Sequence, residues 1–171
     1  MKLISVRWIS LTRQSSKKIV IVGAKRTPFG RFRGGLSQLT PAELGAPAAN
    51  SAMKTIPPEL IDQVIVGNVL SAGHGMNVAR QIALKCGLPQ SVPAFTVNMM
   101  CGSGMQSAVL AALREVQHEN NGFLTPALMD AVAEYLGLPK IAVYEVATFY
   151  SMFETKPVGR HSVSVDRKST R

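Results

Sequence analysis

An α/β fold, a parallel sheet covered by helices and followed by a small helical segment, is predicted by three features of this 171-residue sequence. Short β-branched runs alternate with capped helical stretches from residue 18 to about residue 115. The alternation then stops, and two more helix starts follow with no strand between them. A turn of small residues around Cys101 joins the third strand to the third helix of the alternating part.

The elements follow in order. Lys18-Ile19-Val20-Ile21-Val22-Gly23 reads as a strand buried on both faces. Ala24 to Gly35 is a loop by composition. Its glycines lack the spacing of a phosphate-cradling loop, and no helix opens on the last of them. Thr40-Pro41-Ala42-Glu43 combines an N-cap, a proline at the first helical position and an early acid, so a helix should run to about Lys54. Ile56-Pro57-Pro58 stops it, and Ile61 to Leu70 supplies a second buried strand. After the glycine-rich turn Ser71–Met76, Asn77 caps a helix through Cys86 that ends at Gly87. Pro93 opens a third strand, Ala94 to Asn98, which leads through Cys101 into a helix to about Glu115. Strands so connected should lie parallel, with right-handed crossovers.

Beyond residue 113, Thr125-Pro126 starts a helix whose apolar face is Met129, Val132, Ala133 and Leu136, with Gly137 as its stop. Pro139 opens another, carrying Val143, Val146, Ala147 and Tyr150 and reaching as far as Phe153. A last short strand is expected at Val163-Ser164-Val165.

The net charge of +9 is unevenly placed. Residues 1–35 hold nine basic residues and no acid, whereas ten basic residues face ten acidic ones from residue 36 onward. A nucleic-acid-binding fold would spread its cations over the folded surface with aromatics interleaved, and that pattern is absent from the body of the chain. Residues 1–17 instead combine basic residues with Ser10, Thr12, Ser15 and Ser16, and Ile4, Trp8 and Leu11 are spaced to share one helical face. This composition predicts a mitochondrial presequence and a matrix location; the alternative is a leader that targets nothing. No apolar run approaches the roughly 20 residues of a membrane span.

Chemistry concentrates at Asn98-Met99-Met100-Cys101-Gly102-Ser103-Gly104-Met105. A thiol at the start of a helix faces exposed N–H groups and the positive end of the helix dipole, which favour the attacking thiolate. Cys101 is therefore the candidate nucleophile. Cys86 and Cys101 show no CxxC spacing, so neither a zinc site nor a disulfide scaffold is indicated; Cys86 reads as an apolar filler near the end of its helix. His74, His118 and His161 stand in no motif that pairs them with the thiol.

Several segments, in order and spacing, make residues 19–112 resemble the N-terminal part of thiolases of the acetyl-CoA acetyltransferase type. They are Arg26-Thr27-Pro28-Phe29-Gly30, Gly67-Asn68-Val69-Leu70, Asn77-Val78-Ala79-Arg80-Gln81, Gly87-Leu88-Pro89 and Val97 through Gly104. The resemblance implies an incomplete thiolase-type sheet. It also implies that Cys101 takes an acyl group from acyl-CoA, that the backbone at Cys101 and Gly102 supports the oxyanion, and that Asn77, Arg80 and Gln81 lie near a homo-oligomer interface and the active-site entrance. The coenzyme A thioester is then the substrate, with no separate cofactor. Thiolases carry an activating His and a second catalytic Cys in their C-terminal half, and no residue here matches them. The expected activity is thus acylation without turnover. Loss of the later strands would also leave Ile19–Val22 as an open sheet edge.

Residues 113–165 are similar to a different family, the small iron-sulfur subunit of the NADH-oxidising module of respiratory complex I. The matching residues are Gln117, Asn120-Asn121-Gly122, Met129, Val132-Ala133, Tyr135-Leu136, Val143 through Phe153, and Lys156-Pro157-Val158-Gly159. That resemblance implies docking on a flavin-bearing partner, with Tyr144, Phe149, Tyr150 and Phe153 as either anchors or core. Asp166 and Arg171 stand where its first two cluster cysteines belong, so no iron-sulfur binding is expected. The two resemblances meet within a helix rather than a linker, as in a fused, rearranged or mispredicted gene.

Overall fold

The computed structural model describes residues 2–7 and 20–159. The chain separates into two compact units, Met1–Ala112 and Leu113–Arg171. Its strands are β1 (Lys2–Arg7), β2 (Val20–Arg26), β3 (Val64–Gly67) and β4 (Ala94–Val97). Its helices are α1 (Pro41–Ala52), α2 (Val78–Lys85), α3 (Ser103–Glu119), α4 (Pro126–Leu136) and α5 (Lys140–Phe149). No helix among the described residues is long and apolar enough to cross a membrane.

In the first unit, β3 and β4 form the parallel pair that the alternating pattern predicts, in register from Val64 opposite Ala94 to Gly67 opposite Val97. The ladder extends at both ends through Val64 N–H to the Pro93 carbonyl and Asn68 N–H to the Val97 carbonyl, each at 2.9 Å. Helix α2 makes the crossover, and it buries Val78, Ala79, Ile82 and Ala83 against Val64 and Val66. Helix α1 adds Ala42 and Ala49 to this core. Small side chains let the two helices approach closely. The start of α1 is a full capping box: Glu43 N–H donates to Thr40 Oγ1 at 3.3 Å, and Thr40 N–H donates to Glu43 Oε2 at 2.8 Å. Those Thr40 donors, the backbone N–H first, hold the Glu43 carboxyl below the usual range for a glutamate.

Three expectations change. Strand β2 does not join the parallel sheet; it pairs antiparallel with β1, with a bulge between Ser5 and Val6, and Ile21 stays half exposed. Along Val20–Arg26 one edge of β2 is paired with β1 and the other has no strand partner among the described residues, while Ile19 lies outside them. The strand also runs through Gly23 to Arg26, paired with β1 as far as Lys2, and Gly23 lies directly on the last turn of α1. A Cβ there would stand 2.3 Å from the Ala52 carbonyl oxygen. Correspondingly, Lys2–Arg7 is a strand and not the first turns of an amphipathic helix. Trp8, Leu11 and the remainder of the proposed presequence lie outside the described residues.

The second unit is helical, as predicted. Thr125 caps α4 by accepting from Leu128 N–H at 3.3 Å, and Gly137 ends it in the left-handed conformation at φ 66°. Met129, Val132 and Ala133 of α4 are buried, as are Val143, Val146 and Ala147 of α5. Leu124 and Phe153 are buried in the same unit. Gln117 is a bracket: its Nε2 donates to the Met152 carbonyl at 3.0 Å, and its Oε1 accepts from Glu154 N–H at 2.8 Å. Helix α5 stops at Phe149, short of the Phe153 limit, where Phe153 N–H turns back to the Tyr150 carbonyl. Helix α3 continues to Glu119, past the expected end at Glu115 and across the boundary between the units. The strand expected at Val163–Val165 lies outside the described residues.

Candidate active site

Cys101 stands where β4 ends and α3 begins, beside the carboxyl end of β3. In open parallel sheets, that end of the strands is where ligands bind. The chain passes from strand to helix through Met100, which takes a left-handed conformation with φ 46°. For a residue with a long side chain this costs about 1–2 kcal/mol, so neighbouring groups must hold it. Two side chains do. Asn98 accepts from Met100 N–H through Oδ1 at 3.0 Å and donates from Nδ2 to the Val69 carbonyl at 3.1 Å, tying the turn to the end of β3. Ser103 Oγ accepts from Met99 N–H at 2.9 Å and donates to the Met100 carbonyl at 2.7 Å.

Gly67 supplies the third constraint. A Cβ at this position would lie 2.3 Å from the Ser103 carbonyl carbon and 2.5 Å from Gly104 N, so the first turn of α3 reaches its place only over a bare Cα. The result is an exposed thiol on a braced turn, with Met99, Met100 and Met105 also facing solvent around it. Gly102 N–H donates to the Met99 carbonyl at 2.8 Å and Ser103 N–H to the Met100 carbonyl at 3.2 Å. The expected Gly102 contribution to an oxyanion site is thereby taken up by the turn itself, which leaves the Cys101 N–H as the candidate donor. Among the described residues no histidine or carboxylate is hydrogen-bonded to the Cys101 sulfur.

The other predicted site residues brace the neighbouring loops. Asn77, left-handed at φ 49°, accepts from Arg80 N–H at 3.2 Å and from Thr96 Oγ1 at 3.1 Å, and it donates to the Ala94 carbonyl at 2.8 Å. It therefore stitches the start of α2 to β4. Gln81 Nε2 holds the carbonyls of His74 and Met76 at 2.7 and 3.2 Å, and Arg80 reaches the Gln90 carbonyl at 3.3 Å. His74 meets Gln81 through its backbone carbonyl. None of Asn77, Arg80 and Gln81 is hydrogen-bonded to the Cys101 turn among the described residues. Asn98, Ser103 and Gly67 were visible in the motifs without an assigned role. Their signals were an Asn and a Ser flanking a turn and a Gly closing a strand.

Cys86 is a different kind of thiol. Half-buried, it donates to the Ala46 carbonyl at 3.6 Å, and burial pushes its pKa up despite a hydrogen bond from the Asn50 backbone. In the second unit, Phe149 is 80% exposed, Tyr144 and Tyr150 are half-buried and Phe153 is buried, so the four aromatics divide between surface and core.

Residues 19–123 match the family described as thiolase, N-terminal domain. The chain belongs to the thiolase family. Acetyl-CoA acetyltransferase of Cupriavidus necator is 48% identical over 96 residues, covering 55% of this chain and 24% of that protein. A probable acetyl-CoA acyltransferase of Staphylococcus aureus is 46% identical over 106 residues, covering 61% and 27%. Among solved structures, a thiolase from Ascaris suum in complex with coenzyme A superposes with a TM-score of 0.54 at 39% identity, over 56% of this chain and 25% of that one. Human mitochondrial 3-ketoacyl-CoA thiolase in complex with CoA gives 0.51 at 44% identity, over 53% and 24%. The thiolase-like part thus spans about a quarter of the length of the relatives it matches.

Residues 97–170 match a second family, thioredoxin-like [2Fe-2S] ferredoxin, and the two matches overlap along α3. A cluster of that kind is held by four thiolates. Residues 97–170 contain one cysteine, Cys101, and the described residues bring together no group of three or more His, Cys, Asp or Glu side chains able to hold a metal. Residues 97–170 thus supply one of the four thiolates that such a cluster takes.

Proposed function

We propose that this thiolase N-terminal segment carries out the first half of acyl transfer, with Cys101 as the acyl acceptor. Its sulfur attacks the thioester carbonyl of an acyl-CoA and forms a tetrahedral oxyanion, to which the Cys101 N–H donates. Collapse breaks the bond between the carbonyl carbon and the coenzyme A sulfur. The acyl group stays on Cys101, coenzyme A leaves as a thiolate, and the proton shed by Cys101 passes through solvent to it. With no base on the sulfur among the described residues, acylation is slow and stops at one equivalent.

The single observation that carries this reading is the braced turn, in which Asn98, Ser103 and Gly67 hold an exposed thiol at the head of a helix. Intact-mass spectrometry of the native protein with acetyl-CoA should show the addition of one acetyl group, absent from Cys101→Ser and retained in Cys86→Ser. An unmodified mass after prolonged incubation, or a label that survives Cys101→Ser, contradicts it.

A further inference from the structure

Two of the three most exposed large apolar side chains among the described residues lie on a loop that the acyl-transfer reading does not use. Phe29 is 90% exposed and Phe32, three positions later on the segment between β2 and α1, is 94% exposed. Four cations stand among them: Lys25, Arg26, Arg31 and Arg33, all exposed. The Arg26 guanidinium lies 4.3 Å from the centroid of the Phe29 ring, and that of Arg33 lies 5.6 Å from the centroid of Phe32. No carboxylate pairs with these four cations among the described residues, and the sequence has no acid before Glu43. The loop is also shaped. Gly34 N–H closes on the Arg31 carbonyl at 2.9 Å and Ser37 N–H on the Gly34 carbonyl at 3.0 Å. Gly30 backs onto Leu36, and Arg33 takes a left-handed φ of 54°.

We propose that the segment Ala24–Gly35, the end of β2 and the loop after it, is a docking surface for an anionic lipid bilayer, with Phe29 and Phe32 entering the headgroup–acyl boundary and the flanking cations meeting lipid phosphates and carboxylates. An aromatic ring whose face is held by a guanidinium presents its edge to an apolar medium while the cation stays at headgroup level, the arrangement in which amphipathic side chains sit at a membrane surface. The surplus positive charge adds an attraction that reaches about one Debye length and weakens with salt. Single-stranded RNA is the competing partner for a basic, aromatic loop. It binds by stacking bases on open ring faces, and here a guanidinium already occupies one face of each ring.

Co-sedimentation of the full chain tests this, with vesicles of phosphatidylcholine alone, vesicles in which phosphatidylserine replaces part of it, and polyuridylate as an alternative ligand. Binding to the anionic vesicles should exceed binding to the neutral ones by about tenfold or more and fall as salt is raised. Phe29→Ser/Phe32→Ser and Arg31→Glu/Arg33→Glu should each weaken it severalfold or more, with the circular dichroism spectrum unchanged, whereas Cys101→Ser leaves it intact. Equal binding to both vesicle types, binding unaffected by either double variant, or polyuridylate bound more tightly than anionic vesicles overturns the proposal.

Discussion

Around Cys101 a left-handed methionine is held by two polar side chains, and this pairing of strain with support is what exposes the sulfur. Asn98→Ala removes both the acceptor for Met100 N–H and the donor to the Val69 carbonyl. It should cost the turn about 1–3 kcal/mol and slow acylation of Cys101 by about 10- to 100-fold, read as the rate of acetyl incorporation by mass spectrometry. Unchanged acylation by this variant would show that the brace does not matter. The two thiols should differ plainly in reactivity: iodoacetamide near neutral pH modifies exposed Cys101 well before Cys86, whose burial both shields it and raises its pKa. Peptide mapping that finds Cys86 labelled first would contradict this. The turn that carries Cys101 was legible in the sequence because a small-residue turn between strand and helix is a local pattern. Asn98 and Ser103 were less so, since their value lies in partners at Val69, Met99 and Met100 that only the folded turn brings into place.

The capped helices were the most legible elements, because a cap is written in consecutive residues: Thr40-Pro41 and Glu43 for α1, Asn77 for α2, Thr125 and Gly137 for α4. Thr40→Ala should cost about 1 kcal/mol of stability by urea unfolding. The pH dependence of the same cap has a definite sign. Because the folded-state pKa of Glu43 is depressed, its contribution is present above the ordinary glutamate range and is lost as pH falls through the folded value. The start of α1 should therefore loosen in acid below about pH 4, with faster amide exchange at residues 40–44, and Glu43→Gln should remove that step. Gly67→Ala forces Ser103 and Gly104 away and should destabilise by about 1–3 kcal/mol, with a larger loss of Cys101 acylation than Gly104→Ala, where a Cβ meets nothing within 4 Å. Strands were less legible than helices. Val20–Val22 has the composition of a central parallel strand, yet its partner is the N-terminal strand β1, because strand pairing depends on what lies beside the segment and not on the segment alone.

At the scale of the whole molecule, the change of character near residue 113 coincides with the division into units at Ala112 and Leu113, and the overlap of the two family matches falls on the same helix. The first unit keeps a two-stranded parallel sheet, with the outer edges of β3 and β4 unpaired by any other strand among the described residues, and it exposes Leu70, Met76, Met99 and Met100. Such a surface favours association. Sedimentation velocity should show the average size rising with concentration, and a monomer at all concentrations that melts in one sharp transition would run against this. The central claim is the proposed one, that Cys101 takes up an acyl group while no base among the described residues is hydrogen-bonded to its sulfur. Free coenzyme A released from acetyl-CoA, followed by chromatography over time, tests that claim most directly. The account predicts a slow rise to one equivalent per chain and then a plateau, with none from Cys101→Ser. Continued linear release accompanied by acetoacetyl-CoA, or no release at all, would contradict it.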